Sequence, residues 1–420
     1  MPHVIVIGGG PAGLMAADVI SAGGVRVTLV ERMPSLGRKL LMARRGGLNL
    51  THSESLPAFL DRYGAARSWF EGPISGFPPD DLRAFAHALG QDTFVGSSGR
   101  VFPRAMKASP LLRAWIARLV RQGVGIRLRH RLVGLGPDGK PQISSPDGSS
   151  MALSADATIL ALGGGSWPRL GSDGTWVGLL RSLDVRVNPL EAANARAEIG
   201  WSAVFRERHA GTPLKRIAMT AGGVRARGEA VVTATGLEGS PVYRLNPQLR
   251  DALRKEGTAH LVIDLRPDTD RDALARRLER PRAKQSVSAW LRKSIGLAPN
   301  AIGLLREAFG LSLPEQPVKL AEAVKAVPLR VTGLGGLERA ISSAGGIALD
   351  EVAPDMMLRR IPGLFVAGEM LDWEAPTGGY LLQGCIASGH AAGRGALRFL
   401  AVGGSAVAEV AASRTCFGPA

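Results

Sequence analysis

Apolar and polar residues change period along the chain, and the changes mark its elements. His3 to Ile7 is a short β-branched run without polar alternation, the pattern of a strand buried on both faces. Glycines break it, and Pro11 to about Ser21 follows as an apolar helix; Val25 to Val30 then repeats the strand pattern and ends at Glu31. Far downstream, ATILALGGG (Ala157 to Gly165) and GLFVAGE (Gly363 to Glu369) read as two more buried strands running into glycine. Between roughly Pro189 and Gly336 the pattern differs. HLVIDLRPD and RIAMTAGGVRARGEAVVTATG alternate like strands joined by turns, whereas ALARRLERPRAKQSVSAWLRKSIG and AIGLLREAFG read as short amphipathic helices. From AISSAGGIALD onward the buried-strand pattern returns, and Gly378 and Gly379 precede a helix of small and apolar residues. The expected fold class is α/β, a Rossmann-like domain interrupted by an inserted β-rich domain with a small helical element. The expected boundaries are 1–189 and 337–420 for the two parts of the first domain and 190–336 for the insert.

The first turn carries chemistry. Gly8, Gly10 and Gly13 form G-x-G-x-x-G at the strand-to-helix junction. There Gly8 permits the tight turn, Gly10 lets a pyrophosphate approach the backbone, and Gly13 lets the helix lie close on the sheet. The helix start at Pro11 and Ala12 aims N–H groups and a positive dipole end at that pyrophosphate. Glu31, at the end of the second strand, is placed to take both ribose hydroxyls of an adenosine and to repel a 2′-phosphate, with Arg32 beside it. Strand, turn, helix, strand and acid in order make a strong dinucleotide signal. NADP is disfavoured here; FAD and NAD both fit the turn. A second glycine-led helix start at Gly378 and Gly379 suits the longer cofactor, FAD, because a helix dipole there would stabilise an anionic reduced flavin.

Composition narrows the class. The chain has 420 residues, 45% hydrophobic and 21% charged, an ordinary soluble globular balance long enough for two or three packed units. No apolar run reaches the roughly 18–20 residues of a membrane span, and MPHVIVIG enters a strand directly, so a cytoplasmic protein without a leader is expected. Two cysteines, Cys385 and Cys416, make no disulfide framework, and no Cys/His cluster suggests a metal site. The net charge of +16 is uneven. Arg100 to Arg131 holds no acid, and the stretch from Arg271 to Lys293 is also basic; each faces solvent or an anion such as phosphate or RNA.

The segment GRKLLMARRGGLNLTHSE, from Gly37 to Glu54, reads as a cofactor loop. Arg38 and Lys39 offset phosphate charge, Gly46 and Gly47 admit a ring system, and Asn49 and Thr51 supply hydrogen-bonding groups. Together with VIVIGGGPAG, GRVFP, LALGGGSWPRLGSDG and PGLFVAGEMLDWEAPTGGYLLQGCIASGHAAG, it resembles the BaiN/aminoacetone-oxidase-like family of NAD(P)/FAD-dependent oxidoreductases over essentially the whole chain. The resemblance implies a GR2-type FAD-binding fold, non-covalent FAD, and a substrate cleft between insert and flavin. It further points to Val133, Ala161, Gly163, Gly164, Gly368 and Glu369 as cofactor contacts, and to Gly378, Gly379, Tyr380, Leu381 and Leu382 at the flavin. One departure stands out. Family members usually read G-G-G-R-C-N where this chain has Arg44-Arg45-Gly46-Gly47-Leu48-Asn49, so no thiol chemistry carries over to Leu48.

Since flavin carries the redox chemistry, few side chains are expected to react. Tyr380 is the one weak catalytic candidate. Asp372 and Glu374 read as solvated loop acids, His390 as a packing histidine and Cys385 as an inert buried thiol. The expected function is an FAD-dependent oxidoreductase that moves a hydride between a small or conjugated organic substrate and flavin N5, with NAD(P)H or oxygen as partner. Two alternatives stand beside it: a flavin-dependent reductase of a base in RNA, and a non-catalytic adenine-nucleotide-binding protein. The sequence leaves oligomeric state open.

Overall fold

The opening β-branched run forms strand β1 (His3–Ile7), and the next forms β2 (Arg26–Glu31). With β3 (Gly125–Leu128), β4 (Ala157–Leu160) and β5 (Leu364–Val366) they make a parallel five-stranded sheet in the order β5-β4-β1-β2-β3. The central β1 and β4 are buried almost throughout, which is why they lack polar alternation. These coordinates are a computed structural model; it describes residues 1–42, 47–136, 138–282, 284–310 and 312–415, and beyond residue 402 only the backbone of the last helix. Arg44, Arg45, Gly46 and Cys416 lie outside the described residues.

Helix α1 (Pro11–Ala22) leaves the glycine turn and packs against α2 (Tyr380–Thr415). Small residues in α2 make this approach possible: a Cβ on Gly389 would stand 2.2 Å from the Ala12 carbonyl oxygen. The helix runs on through the C-terminal stretch to Thr415. Contacts divide the chain into two units, residues 1–191 with 342–420, and residues 192–341. The first unit holds the parallel sheet and a core built from Val4, Ile5, Val6, Leu14, Ile159 and Phe365.

The second unit holds a seven-stranded antiparallel sheet. Its long hairpin pairs Pro213–Ala221 with Val224–Thr233 around Gly222-Gly223, and Ala259–Asp264 and Val327–Val331 extend it. Four amphipathic helices, Arg271–Leu278, Val287–Ile295, Pro299–Phe309 and Pro317–Lys325, contribute buried leucines to its core. The expected fold class therefore holds: a Rossmann-type parallel sheet, with an antiparallel sheet in a separate unit. Among the described residues no helix is long and apolar enough to cross a membrane, and no group of His, Cys, Asp and Glu is placed to hold a metal ion.

Candidate functional site

A cleft opens at the C-terminal ends of β1, β2 and β4, where ligands of open α/β sheets bind. Its floor is the turn from Gly8 to Ala12. Gly8 has φ +110, and a Cβ there would collide with the Ala161 carbonyl; a Cβ on Gly13 would likewise stand 1.9 Å from the Gly8 carbonyl oxygen. Gly10 differs, since a Cβ would meet nothing within 4 Å. The turn is thus packed tight from below and open toward the cleft at Gly10, as backbone approach by a pyrophosphate requires.

At one end of the cleft the Glu31 carboxylate accepts N–H groups of Gly9 and Met33, each at 2.8 Å. Burial pushes its pKa up, and those two N–H groups with Arg32 oppose the rise. Arg32 ion-pairs with Asp173 and donates to the Pro168 carbonyl at 3.2 Å. Burial pushes the Asp173 carboxyl up, but bonds from Arg32 and from Thr175 outweigh it and hold the group below the usual range.

In another part of the cleft Lys39 donates to Glu369 and to Ser166 Oγ, both at 2.5 Å, and Glu369 also accepts the Ser343 N–H at 2.8 Å. Lys39 is therefore already neutralised by a carboxylate, whereas Arg38 reaches Ser35 Oγ at 3.4 Å and keeps a buried Nε without a partner among the described residues. Cys385, expected to be buried, is largely buried against the core and lines this cleft; burial and then the Glu369 charge push its thiol up to about 12.

A second cluster gathers where α2 begins. Gly378 and Gly379 have φ +143 and +97, and a Cβ on Gly379 would stand 2.5 Å from Thr51 Cα. Two segments read separately as cofactor-binding, Asn49–Thr51 and Gly378–Leu382, are thus in contact. Tyr380 stacks on His52, with ring centroids 5.4 Å apart, and donates to Glu54, which Arg62 grips through two nitrogens. Burial, then Glu54, push the phenol well above its ordinary range, so it stays protonated. Asn49 Oδ1 and the wholly buried Thr51 Oγ1 have no partner among the described residues.

Of the residues singled out by sequence, Gly8, Gly10, Pro11, Ala12, Glu31 and Arg32 line the cleft. So do Arg38, Lys39, Ala161, Gly163, Gly368 and Glu369. Gly13 serves packing, and Gly164 lies against the Ser343 side chain. Val133 does not line it: its side chain is 44% exposed, and the neighbouring His130, Arg131 and Leu132 take that wall. Leu381 and Leu382 pack partly buried against the core. Asp372 accepts from Asn188 at 2.6 Å, and His390 packs tilted against Phe77, ring centroids 4.9 Å apart, a packing role. Sequence reading missed Ser172, Asp173 and Trp176 in the cleft wall; their signal was the glycine-broken SWPRLGSDGT that follows β4.

The fit to a dinucleotide rests on two observations besides the fold: the open face of Gly10 and, in the same cleft, the buried Ser172 hydroxyl, which has no partner among the described residues. Comparison with known proteins agrees. The family model of the HI0933-like protein Rossmann domain matches residues 2–395. The chain is 28% identical over 410 residues to the 3-dehydro-bile acid delta(4,6)-reductase of Clostridium scindens, covering 94% of this chain and 99% of that one. It is 22% identical over 390 residues to the ribosomal RNA dihydrouridine synthase of Escherichia coli, covering 90% and 94%. In fold it is similar to the 3-ketosteroid delta1-dehydrogenase of Sterolibacterium denitrificans, with a TM-score of 0.52 at 12% identity over 94% of this chain and 99% of that one.

Proposed function

Since the chain belongs to the HI0933-like Rossmann-domain family, we propose that it is an FAD-dependent oxidoreductase that reduces a double bond of a small conjugated substrate, with NAD(P)H as electron donor. The oxidoreductase class rests on the family and on its flavoenzyme relatives. The observation that carries the cofactor reading is the cleft itself, a glycine turn with Glu31 at one end and Glu369 within it. Bound FAD supplies the two-electron chemistry. The chain's own residues bind and orient. In this reading the turn from Gly8 to Ala12 takes the pyrophosphate, and Glu31 takes the ribose hydroxyls. The N–H groups at the start of α2 have no acceptor within the helix and favour negative charge. Asn49 and Thr51 offer the unpartnered oxygens noted above. Tyr380 is held by Glu54 and serves the site as a positioning group.

Substrate class follows from the relatives, whose names describe reduction of double bonds in a bile acid and formation of dihydrouridine. The second of these, with the net charge of +16, favours a flavin-dependent reductase of an RNA base as the second reading. Anaerobic mixing of the yellow protein with NADH and with NADPH tests the proposal. Rapid bleaching of the flavin band, followed by recovery on adding a steroid enone, is the expected result. Bleaching that is reversed by uridine-containing RNA and not by enones would replace it with the second reading. No bleaching with either nucleotide would overturn the NAD(P)H assignment and leave oxygen as the partner.

A further inference from the structure

We propose that Ser172 is a hydrogen-bonding ligand of the adenosine-diphosphate half of the cofactor, held at the cleft by the Arg32–Asp173 ion pair. The inference rests on the flavin reading above. Ser172 is 6% exposed, lines the cleft, and its hydroxyl has no partner among the described residues. A buried hydroxyl without a partner costs free energy, so such groups are satisfied by a ligand or by water.

The surrounding segment is built to hold that hydroxyl in one place. Arg32 grips it twice, at the Pro168 carbonyl and at the Asp173 carboxylate. Asp173 in turn accepts the backbone N–H and hydroxyl of Thr175, and the Trp176 indole donates to the Gly163 carbonyl at 2.8 Å. Gly171, at φ +111, lies over Glu31 and Met33: a Cβ there would be 3.8 Å from Glu31 Oε1 and 3.0 Å from Met33 Cγ. On the other side, a Cβ on Gly163 would stand 2.9 Å from Ser172 Oγ. Ser172 therefore sits between the ribose-binding carboxylate and the glycines that end β4. The adenosine-diphosphate half passes there when FAD is bound as read above.

A ligand hydroxyl and a structural hydroxyl respond oppositely to removal. In Ser172→Ala, apoprotein melting is expected to be unchanged or higher, because an unsatisfied buried group is gone. The dissociation constant for FAD is expected to rise roughly tenfold, the size of one lost hydrogen bond. Asp173→Asn, which loosens the grip of Arg32, is expected to speed FAD release in the same direction. Unchanged FAD affinity in Ser172→Ala would overturn the proposal. So would an apoprotein melting loss matching the loss of affinity, since the hydroxyl would then be structural. A wild-type protein that takes up no FAD would overturn the flavin reading itself, before any variant is compared.

Discussion

Tyr380 Oη donates to Glu54 Oε1 at 2.7 Å, joining residues 326 positions apart in sequence. Glu54 is gripped from its other side by Arg62 Nε at 3.0 Å and Nη2 at 2.6 Å, while Tyr63 Oη donates to the Tyr380 carbonyl at 2.8 Å. The first residue of α2 is thus tethered at its side chain and at its backbone.

Removing the phenol hydroxyl should expose the worth of that tether. Tyr380→Phe is expected to lose about 2 kcal/mol of stability, as for a hydrogen bond to a charged group. Urea unfolding reads the value. A loss below about 0.5 kcal/mol would mean that Arg62 alone holds Glu54.

Acid should undo the same link. Burial pushes the Glu54 carboxyl up, but Arg62 and Tyr380 outweigh it, so its pKa is lower folded than unfolded. Its stabilisation is therefore complete above the ordinary value of 4.5 and is lost as pH falls through the lower folded value. Wild-type melting temperature should drop more steeply than that of Glu54→Gln below pH 4.5, narrowing the gap between them. Parallel curves would refute the linkage.

A methyl group at the junction of Asn49–Thr51 and Gly378–Leu382 should be poorly tolerated. Gly379→Ala meets Thr51 backbone at 2.5 Å and adopts φ +97. Left-handed strain of about 1–2 kcal/mol and overpacking of about 1–3 kcal/mol add there. Gly24→Ala shares the positive φ, +77, with nothing within 4 Å, and should lose only the first part. Equal denaturation midpoints for the two variants would show that Thr51 yields freely.

The Cys385 thiol should be slow to react although it lines the cleft. With burial pushing it up to about 12, only on the order of 10⁻⁴ of it is thiolate at pH 8. In a Cys416→Ser variant, labelling by a disulfide reagent should be orders of magnitude slower than for a free thiol, and slower still with FAD present. Stoichiometric labelling within the mixing time would contradict this.

What the sequence revealed was local. The strands of the parallel sheet, the glycine turn and Glu31 announce themselves within some thirty residues, because period and glycine spacing are set by neighbouring backbone. The remainder depends on distant partners. Ser172 and Asp173 are fixed at the cleft by Arg32, a residue some 140 positions away, so no local pattern marks them. Tyr380, Glu54 and Arg62 belong to segments that only the fold brings together. Cys385 read as inert burial because its helix is rich in small apolar residues, yet it faces the cleft. Val133 was placed one residue from the wall that His130, Arg131 and Leu132 form.

The strand order also has a consequence for synthesis. β4 pairs with β1 on one side, but its other neighbour, β5, begins only at Leu364. At about 5–20 residues per second, a ribosome leaves that edge of β4 bare for on the order of 10–40 s. An unpaired edge of a buried, β-branched strand is a place for mispairing with other nascent chains. The unit spanning 192–341 is continuous and emerges whole in that interval, free to fold first. Gly368, Glu369 and Cys385 reach the cleft last, so the nascent chain owns a glycine turn long before the walls of the cleft around it exist.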